Sequence, residues 1–260
     1  MSIYVVGHKP FTGPAYKEYV PIQVGEGENF LPVRDNTGDN IAEKNKNFCE
    51  LTALYWMWKN DSTSEFIGLN HYRRYFDFKE QRKRLLYSHT ILPSQLNQYT
   101  NPKDFQGMVD ETTIILPKPL SLGKLSIFEQ YQRDHLIQDL DVVIDIIKSN
   151  YPEYTEALHK VLQRHWVYLC NMFIMTRSQF EAYAAWLFAI LFQAEKMIVL
   201  TGDVYQDRVF GFLAERLFNV YVEKQKFKII EVPAIFVDPA VHSDSTQRIG
   251  KRALLKDLFS

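Results

Sequence analysis

Cysteine is scarce: Cys49 and Cys170 are the only two in 260 residues. Two thiols cannot staple a chain of this length, so a core must hold the fold, and a reducing compartment is the expected setting. Long apolar runs are missing too. The nearest, residues 180–200, is broken by Glu181, Gln193, Glu195 and Lys196. It describes a buried helix and falls short of the roughly 18 apolar residues that a membrane span needs. The opening MSIYVVGHKPF lacks the basic stretch and apolar run of a secretory leader, and a cytoplasmic protein is expected. No charge of one sign dominates, with 30 Lys and Arg against 31 Asp and Glu, a net charge of −1. That balance argues against a general nucleic-acid binder, though not against a local basic patch. The chain has no glycine-rich phosphate loop, no G-x-G-x-x-G, no G-x-S-x-G, no H-E-x-x-H and no paired C-x-x-C. These absences disfavour kinases, P-loop NTPases, dinucleotide folds, hydrolase triads and zinc sites.

Aromatic residues are plentiful: 14% of the chain, with 15 Tyr and 18 Phe. They fill cores and also build clefts that stack on bases and sugar rings. At about 150 residues per domain, the length allows one large domain or two small ones. Apolar, β-rich runs predict strands at residues 2–6 (SIYVV), 65–69 (EFIGL), 112–116 (TTIIL) and 169–175 (LCNMFIM), with short ones at 228–232 and 235–237. Apolar residues at helical spacing predict helices over 41–59, 126–133, 139–149, 153–163, 179–196 and 207–222. Asp39 and Asn40 stand where the first helix would be capped, with Glu43 placed for a capping box. Residues 21–40 and 79–107 read as loop. Strands alternating with helices indicate an α/β fold with a mostly parallel sheet.

The most informative segment is IGLNHYRRY, residues 67–75, where a buried strand releases Asn70, His71, Tyr72, Arg73 and Arg74. In open α/β sheets ligands bind beyond the carboxyl ends of strands, and guanidinium forks match phosphate oxygens. The plain alternative pairs an arginine with a carboxylate and packs the tyrosines on the sheet. Adjacent strand residues face opposite ways, so Arg73 and Arg74 share one ligand only if the strand has ended. His8 and Lys9 likewise follow the first strand. In the turn DNTGDNI, Asp39 and Asn40 serve either as caps or as an anion or nucleotide contact at a helix start. Within the following helix, Glu50, Thr52, Trp56 and Lys59 read as packing. TGDVYQDR presents Asp203 and Asp207 beside Arg208 near another helix start, where a carboxylate either caps or waits as a base. Glu215 and Arg216 lie among apolar neighbours, as a buried ion pair or as part of a site. His242, in a late loop, is either solvated or folded over a site.

In order and spacing, the blocks SIYVVGHKPF, TGDNIAEKN, CELTALYWMWKN, FIGLNHYRRYF, CNMFIMTRSQFEAY and DRVFGFLAERLFNVY resemble the bacterial DUF4422 family over residues 2–225. That family is associated with capsular and exopolysaccharide biosynthesis and is similar to GT-A glycosyltransferases. The resemblance implies a GT-A-like single domain over residues 1–260. Residues 1–120 would hold the nucleotide sugar, 121–245 the acceptor, and 246–260 would form a basic amphipathic tail. The implied reaction moves a hexose from a nucleotide-diphosphate donor, UDP-galactose or similar, to a growing glycan. Substrate contacts would fall to His8, Lys9, Asp39, Asn40, Asn45, Asn70, His71, Tyr72, Arg73, Arg74 and Arg208. The base would be Asp207, with Asp203 and Glu215 behind it. GT-A enzymes usually carry a metal-binding Asp-x-Asp where this chain reads Asn70-His71-Tyr72. This departure puts a Mn²⁺ or Mg²⁺ cofactor in question; His71, Asp203 and His242 would be its ligands if one is used. In the tail, Arg248, Lys251, Arg252 and Lys256 accompany Leu254, Leu255, Leu258 and Phe259. It would either dock on the domain or lie on an anionic membrane near a lipid-linked acceptor. A non-catalytic glycan- or nucleotide-binding module and a sugar-phosphate enzyme remain as rival readings.

Overall fold

The computed structural model describes residues 1–79, 89–105 and 107–238. His242 and the tail 246–260 lie outside the described residues. The chain opens with β1, Ser2–Gly7, apolar on both faces. Tyr4 and Val6 enter one core and Ile3 and Val5 the other. Such a strand belongs inside a sheet covered on both sides. β2 (Tyr19–Gln23) and β3 (Val33–Arg34) extend the sheet in parallel beside β1. They fall in and beside the stretch expected to be loop. Pro21 is tolerated because β3 pairs only with Ile22 and Gln23, which leaves Pro21 at an open edge.

The first predicted helix is broken. A 3-10 turn, Ala42–Lys44, leads into α1, Asn45–Phe48, and α2 runs over Leu51–Asn60. Between them Cys49 takes φ +52°. The Asn45 amide donates to the Cys49 carbonyl and to Thr52 Oγ1, and the Thr52 hydroxyl donates to the same carbonyl. Such local side-chain bonds compete with the helical ladder. The expected capping box at Asn40 does not form; the Asn40 side chain accepts from Ala42 N, and Ile41 starts the turn without a side-chain cap.

β4, Phe66–His71, lies parallel to β1. A tight turn at Tyr72 and Arg73 reverses it into β5, Arg74–Phe76, with His71 opposite Arg74. Next come β6 (His89–Ile91), inside the second expected loop, and β7 (Thr113–Pro117). β8 (Leu120–Ser121) and β9 (Trp166–Val167) form a separate ribbon. Between these two lie α3 (Ile127–Asp134), α4 (Ile137–Asn150) and α5 (Thr155–Leu162). β10 covers Phe173–Thr176 only, because Cys170 and Asn171 turn the preceding residues with φ +70° and +49°. After it, α6 (Arg177–Glu195) and α7 (Val209–Gln225) precede β11 (Lys228–Val232) and β12 (Ala234–Val237). Reciprocal capping boxes start α3, at Ser126 and Glu129, and α6, at Thr176 and Gln179.

The main sheet runs β11-β7-β10-β4-β1-β2-β3, and β12 joins β5 and β6 to it. Along that path β10 runs against its neighbours and the other described pairings are parallel. The larger core packs the helices on one face; the smaller, with Ile3, Tyr75, Phe105 and Ile174, covers the other. The result is a mostly parallel α/β sheet flanked by helices. Among the described residues no helix is long and apolar enough to cross a membrane.

Candidate functional site

A cavity of about 630 Å³ opens where β1 and β4 end. Val6, Gly7 and His8 form one side, and His71, Tyr72 and Arg74 come from the β4–β5 turn. The α1–α2 junction adds Asn45, Asn47, Cys49 and Glu50, and the turn before β10 adds Cys170. The approach to α7 and its first turns supply Asp207, Arg208, Gly211 and Glu215. The site therefore sits at strand carboxyl ends, where the fold leaves an open crevice.

Its floor is a run of hydrogen bonds. His71 Nε2 lies 2.6 Å from the Cys170 carbonyl oxygen, so this ring nitrogen carries a proton. Cys170 N donates to Glu215 Oε1 at 2.8 Å, and Arg216 Nη1 donates to Glu215 Oε2 at 2.9 Å. Arg216 Nη2 then reaches Gln130 Oε1 at 2.6 Å. Asn171 Nδ2 donates to Glu50 Oε1 at 2.8 Å, and Arg208 Nε lies 3.3 Å from Cys49 Sγ. Asn47 Nδ2 donates to the Asp207 carbonyl at 2.7 Å.

Burial lowers the His71 pKa, against the opposing pull of Glu50 and with help from Arg74. Burial, Lys9 and Arg208 do the same to His8. Burial raises the Glu215 carboxyl, and Arg216 works against it. Burial also pushes the Cys49 thiol up to about 11 and the Cys170 thiol up to about 12. Neither cysteine is a thiolate near neutral pH, so neither is poised as a nucleophile.

Of the residues singled out in the sequence, His8, Asn45, His71, Tyr72, Arg74, Asp207, Arg208 and Glu215 line this cavity. Lys9 stands over the Tyr72 ring, 5.7 Å from its centroid, outside the lining. Asp39 accepts from the Tyr55 hydroxyl, and Asn40 is tied to Gly38 and Ala42, both away from the cavity. Arg73 occupies the turn, and its carbonyl accepts from Val237. Asn70 is fully buried, and strand alternation turns it to the face opposite His71. Asp203 accepts from the backbone of Tyr205 and Gln206, which closes its own turn. Asp207 accepts at Oδ1 from Thr201 N and Oγ1 and at Oδ2 from Gly202 N, and these bonds lower its pKa.

Residues 70–72 do not fit a metal site of the Asp-x-Asp kind. Asn70 faces away and His71 Nε2 is engaged by Cys170. Among the described residues no group of three or more His, Cys, Asp or Glu could hold a metal ion. Glu50 read as packing in the sequence, and Asn171 and Asn47 were passed over; all three belong to the network at this site. The asparagines of EKNKNF, residues 43–48, were the available signal, since asparagine side chains favour turns over helix interiors.

The family model described as a domain of unknown function, DUF4422, matches residues 2–226. The chain belongs to the DUF4422 family. Among solved structures, the apo structure of WbbM, a bifunctional glycosyltransferase, is similar to this DUF4422 chain, with a TM-score of 0.81 and 32% identity. The match covers 91% of this chain and 45% of WbbM's. The DUF4422 chain thus spans less than half the length of that enzyme. A search of curated protein sequences finds no match.

Proposed function

We propose that this chain is a glycosyltransferase that binds a nucleotide-diphosphate sugar in the cavity and transfers the sugar to a glycan. The observation that carries the reading is the pairing of cations with carboxylates in one crevice at the ends of β1 and β4. Arg74, Arg208 and Lys46 are there, and so are Glu50, Asp207 and Glu215. A volume of about 630 Å³ suits a ligand of nucleotide-sugar size. The likeness to part of a bifunctional glycosyltransferase supports the same reading.

Transfer breaks the bond between the anomeric carbon and the diphosphate, so charge develops on the leaving oxygens. Arg74 and Arg208 supply preorganised cations for that charge. The proposed donor is a UDP-hexose such as UDP-galactose, and the proposed acceptor is a growing capsular or exopolysaccharide glycan, free or lipid-linked. The proposed setting is the cytoplasm. Thermal shifts against UDP-, GDP- and dTDP-sugars, with and without Mn²⁺ or Mg²⁺, test donor binding, because a ligand bound by the native state raises the melting point. Slow release of the nucleoside diphosphate from the stabilising donor is expected. Binding without turnover would favour a binding module. Release of inorganic phosphate would favour a sugar-phosphate enzyme. No shift and no turnover with any donor would overturn the proposal.

A further inference from the structure

We propose that Glu50 is the catalytic base of this site, with Asn171 as the residue that positions it; the assignment rests on the transferase reading. Among the described residues, Glu50, Asp207 and Glu215 are the carboxylates that line the cavity. A base must come within hydrogen-bond reach of the proton it takes, and a carboxylate oxygen that accepts no bond from the protein is the more basic and the more readily turned to an acceptor. Asp207 commits both oxygens to Thr201 and Gly202, through bonds of 2.7 to 2.9 Å. Glu215 is buried, and its two oxygens are held by Cys170 N and by Arg216. Glu50 differs from both. Its Oε1 accepts from Asn171 Nδ2, and among the described residues its Oε2 has no hydrogen-bond partner. The side chain is half-buried, so its free oxygen is not sealed off from the cavity that it lines.

The backbone delivers this arrangement. Cys49, at φ +52°, ends α1 and places Glu50 just ahead of α2, at the junction facing the cavity. Asn171, at φ +49°, turns the chain just before β10 and brings its amide to Glu50. Two non-glycine residues held at positive φ on either side of one carboxylate indicate structure maintained against local preference. His71 and Arg208 both feel the charge of Glu50, which sets the carboxylate beside the cationic wall proposed for the diphosphate.

In the step that follows, Glu50 Oε2 takes the proton of an acceptor hydroxyl. The acceptor oxygen forms a bond to the anomeric carbon as the bond from that carbon to the diphosphate oxygen breaks. The electron pair of the broken bond leaves with the nucleoside diphosphate. One base and one displacement give a product of inverted anomeric configuration.

The test uses the full chain and the nucleotide sugar chosen by the thermal-shift screen, with water as acceptor and nucleoside diphosphate release as readout. Glu50→Gln should keep the melting temperature, keep the donor Kd within about twofold and lower kcat by about 10²–10⁴-fold. Azide is an anionic nucleophile that needs no base. It should restore donor cleavage in Glu50→Ala and yield a glycosyl azide of inverted configuration. Asn171→Gly preserves the positive φ and removes the amide; it should lower kcat by about tenfold with donor Kd unchanged. Turnover by Glu50→Gln within threefold of wild type would overturn the assignment. So would loss of folding or donor binding in both Glu50 variants, or failure of azide to rescue Glu50→Ala. A fall in kcat confined to Asp207→Asn would move the role to Asp207. If wild-type protein neither binds nor cleaves any nucleotide sugar, the transferase reading itself fails.

Discussion

Arg73 and Arg74 are adjacent in sequence and differently placed in space. Arg74 opens β5 opposite His71, lies over the Phe236 ring and lines the cavity, whereas Arg73 sits in the turn outside it. Arg74→Ala should therefore weaken donor binding by about 1.5–3 kcal/mol, the range for a hydrogen bond to a charged group. Arg73→Ala should leave it within about twofold, and calorimetric titration of both variants checks the contrast. Gly68 shows how tight the centre of the sheet is. A Cβ there would stand 3.1 Å from Ile174 Cγ1 and 3.1 Å from Ile3 Cγ1. Both contacts come from strands flanking β4, so Gly68→Ala should cost about 1–3 kcal/mol of stability, read as a lower urea midpoint. The cluster after residue 69 was legible because cations and a histidine directly follow an apolar strand. Glu50 was not legible, since helical spacing absorbed it into the apparent helix over 41–59. What exposes it is the set of bonds among Asn45, Cys49 and Thr52, which depends on geometry rather than spacing.

At the scale of elements, two groups beside the site make stability depend on pH with opposite signs. His135, just after α3, stacks on Phe212 of α7 at 4.0 Å. Burial, with Arg216 adding to it, pushes its pKa down to about 3 from 6.5. The unfolded chain takes a proton there near pH 6.5 and the folded chain only near 3. The contribution is thus whole above 6.5 and lost on acidification, at up to about 1.4 kcal/mol per pH unit. His135→Phe keeps the stacking, and its melting temperature should gain on wild type as the pH falls below 6.5. Asp139, in the first turn of α4, is pushed up to about 6 by burial and by the charge of Asp207. Here the folded state holds the proton more tightly. The charged form costs stability above pH 6, and the cost fades as the pH falls toward ordinary carboxylate values. Asp139→Asn should raise the melting temperature near pH 8 and change little near pH 4. Strands such as β1 and β7 were readable because they are apolar on both faces. β2 and β3 were not, because five and two residues in a glycine- and asparagine-rich region become strands only by pairing with β1 and with each other.

For the whole molecule, the alternation of strands and helices was enough to foresee a mostly parallel α/β sheet. The reversed direction of β10 was hidden, because a period of two says nothing about which way a strand runs. That reversal decides how the chain holds together. β10 lies between β7 and β4, and β11 pairs with β7 on its other side. Strands from after residue 120 therefore sit within and beside those from before it. The cavity is built in the same manner, with Gly7, Glu50 and Arg74 facing Cys170, Arg208 and Glu215. Neither part can close its sheet or its site alone. Urea unfolding followed by far-UV circular dichroism and by tryptophan fluorescence should give one coincident transition. Trp56 and Trp58 report on the first part, and Trp166 and Trp186 on the second. A chain cut after residue 120 should stay unfolded, since β4 and β7 would lose the strand that joins them. A donor at 100 times its Kd should shift the entire transition by about 2.7 kcal/mol. Two separated transitions, or a donor effect confined to one pair of tryptophans, would mean that the parts fold independently and that the interleaved sheet does not set the cooperative unit.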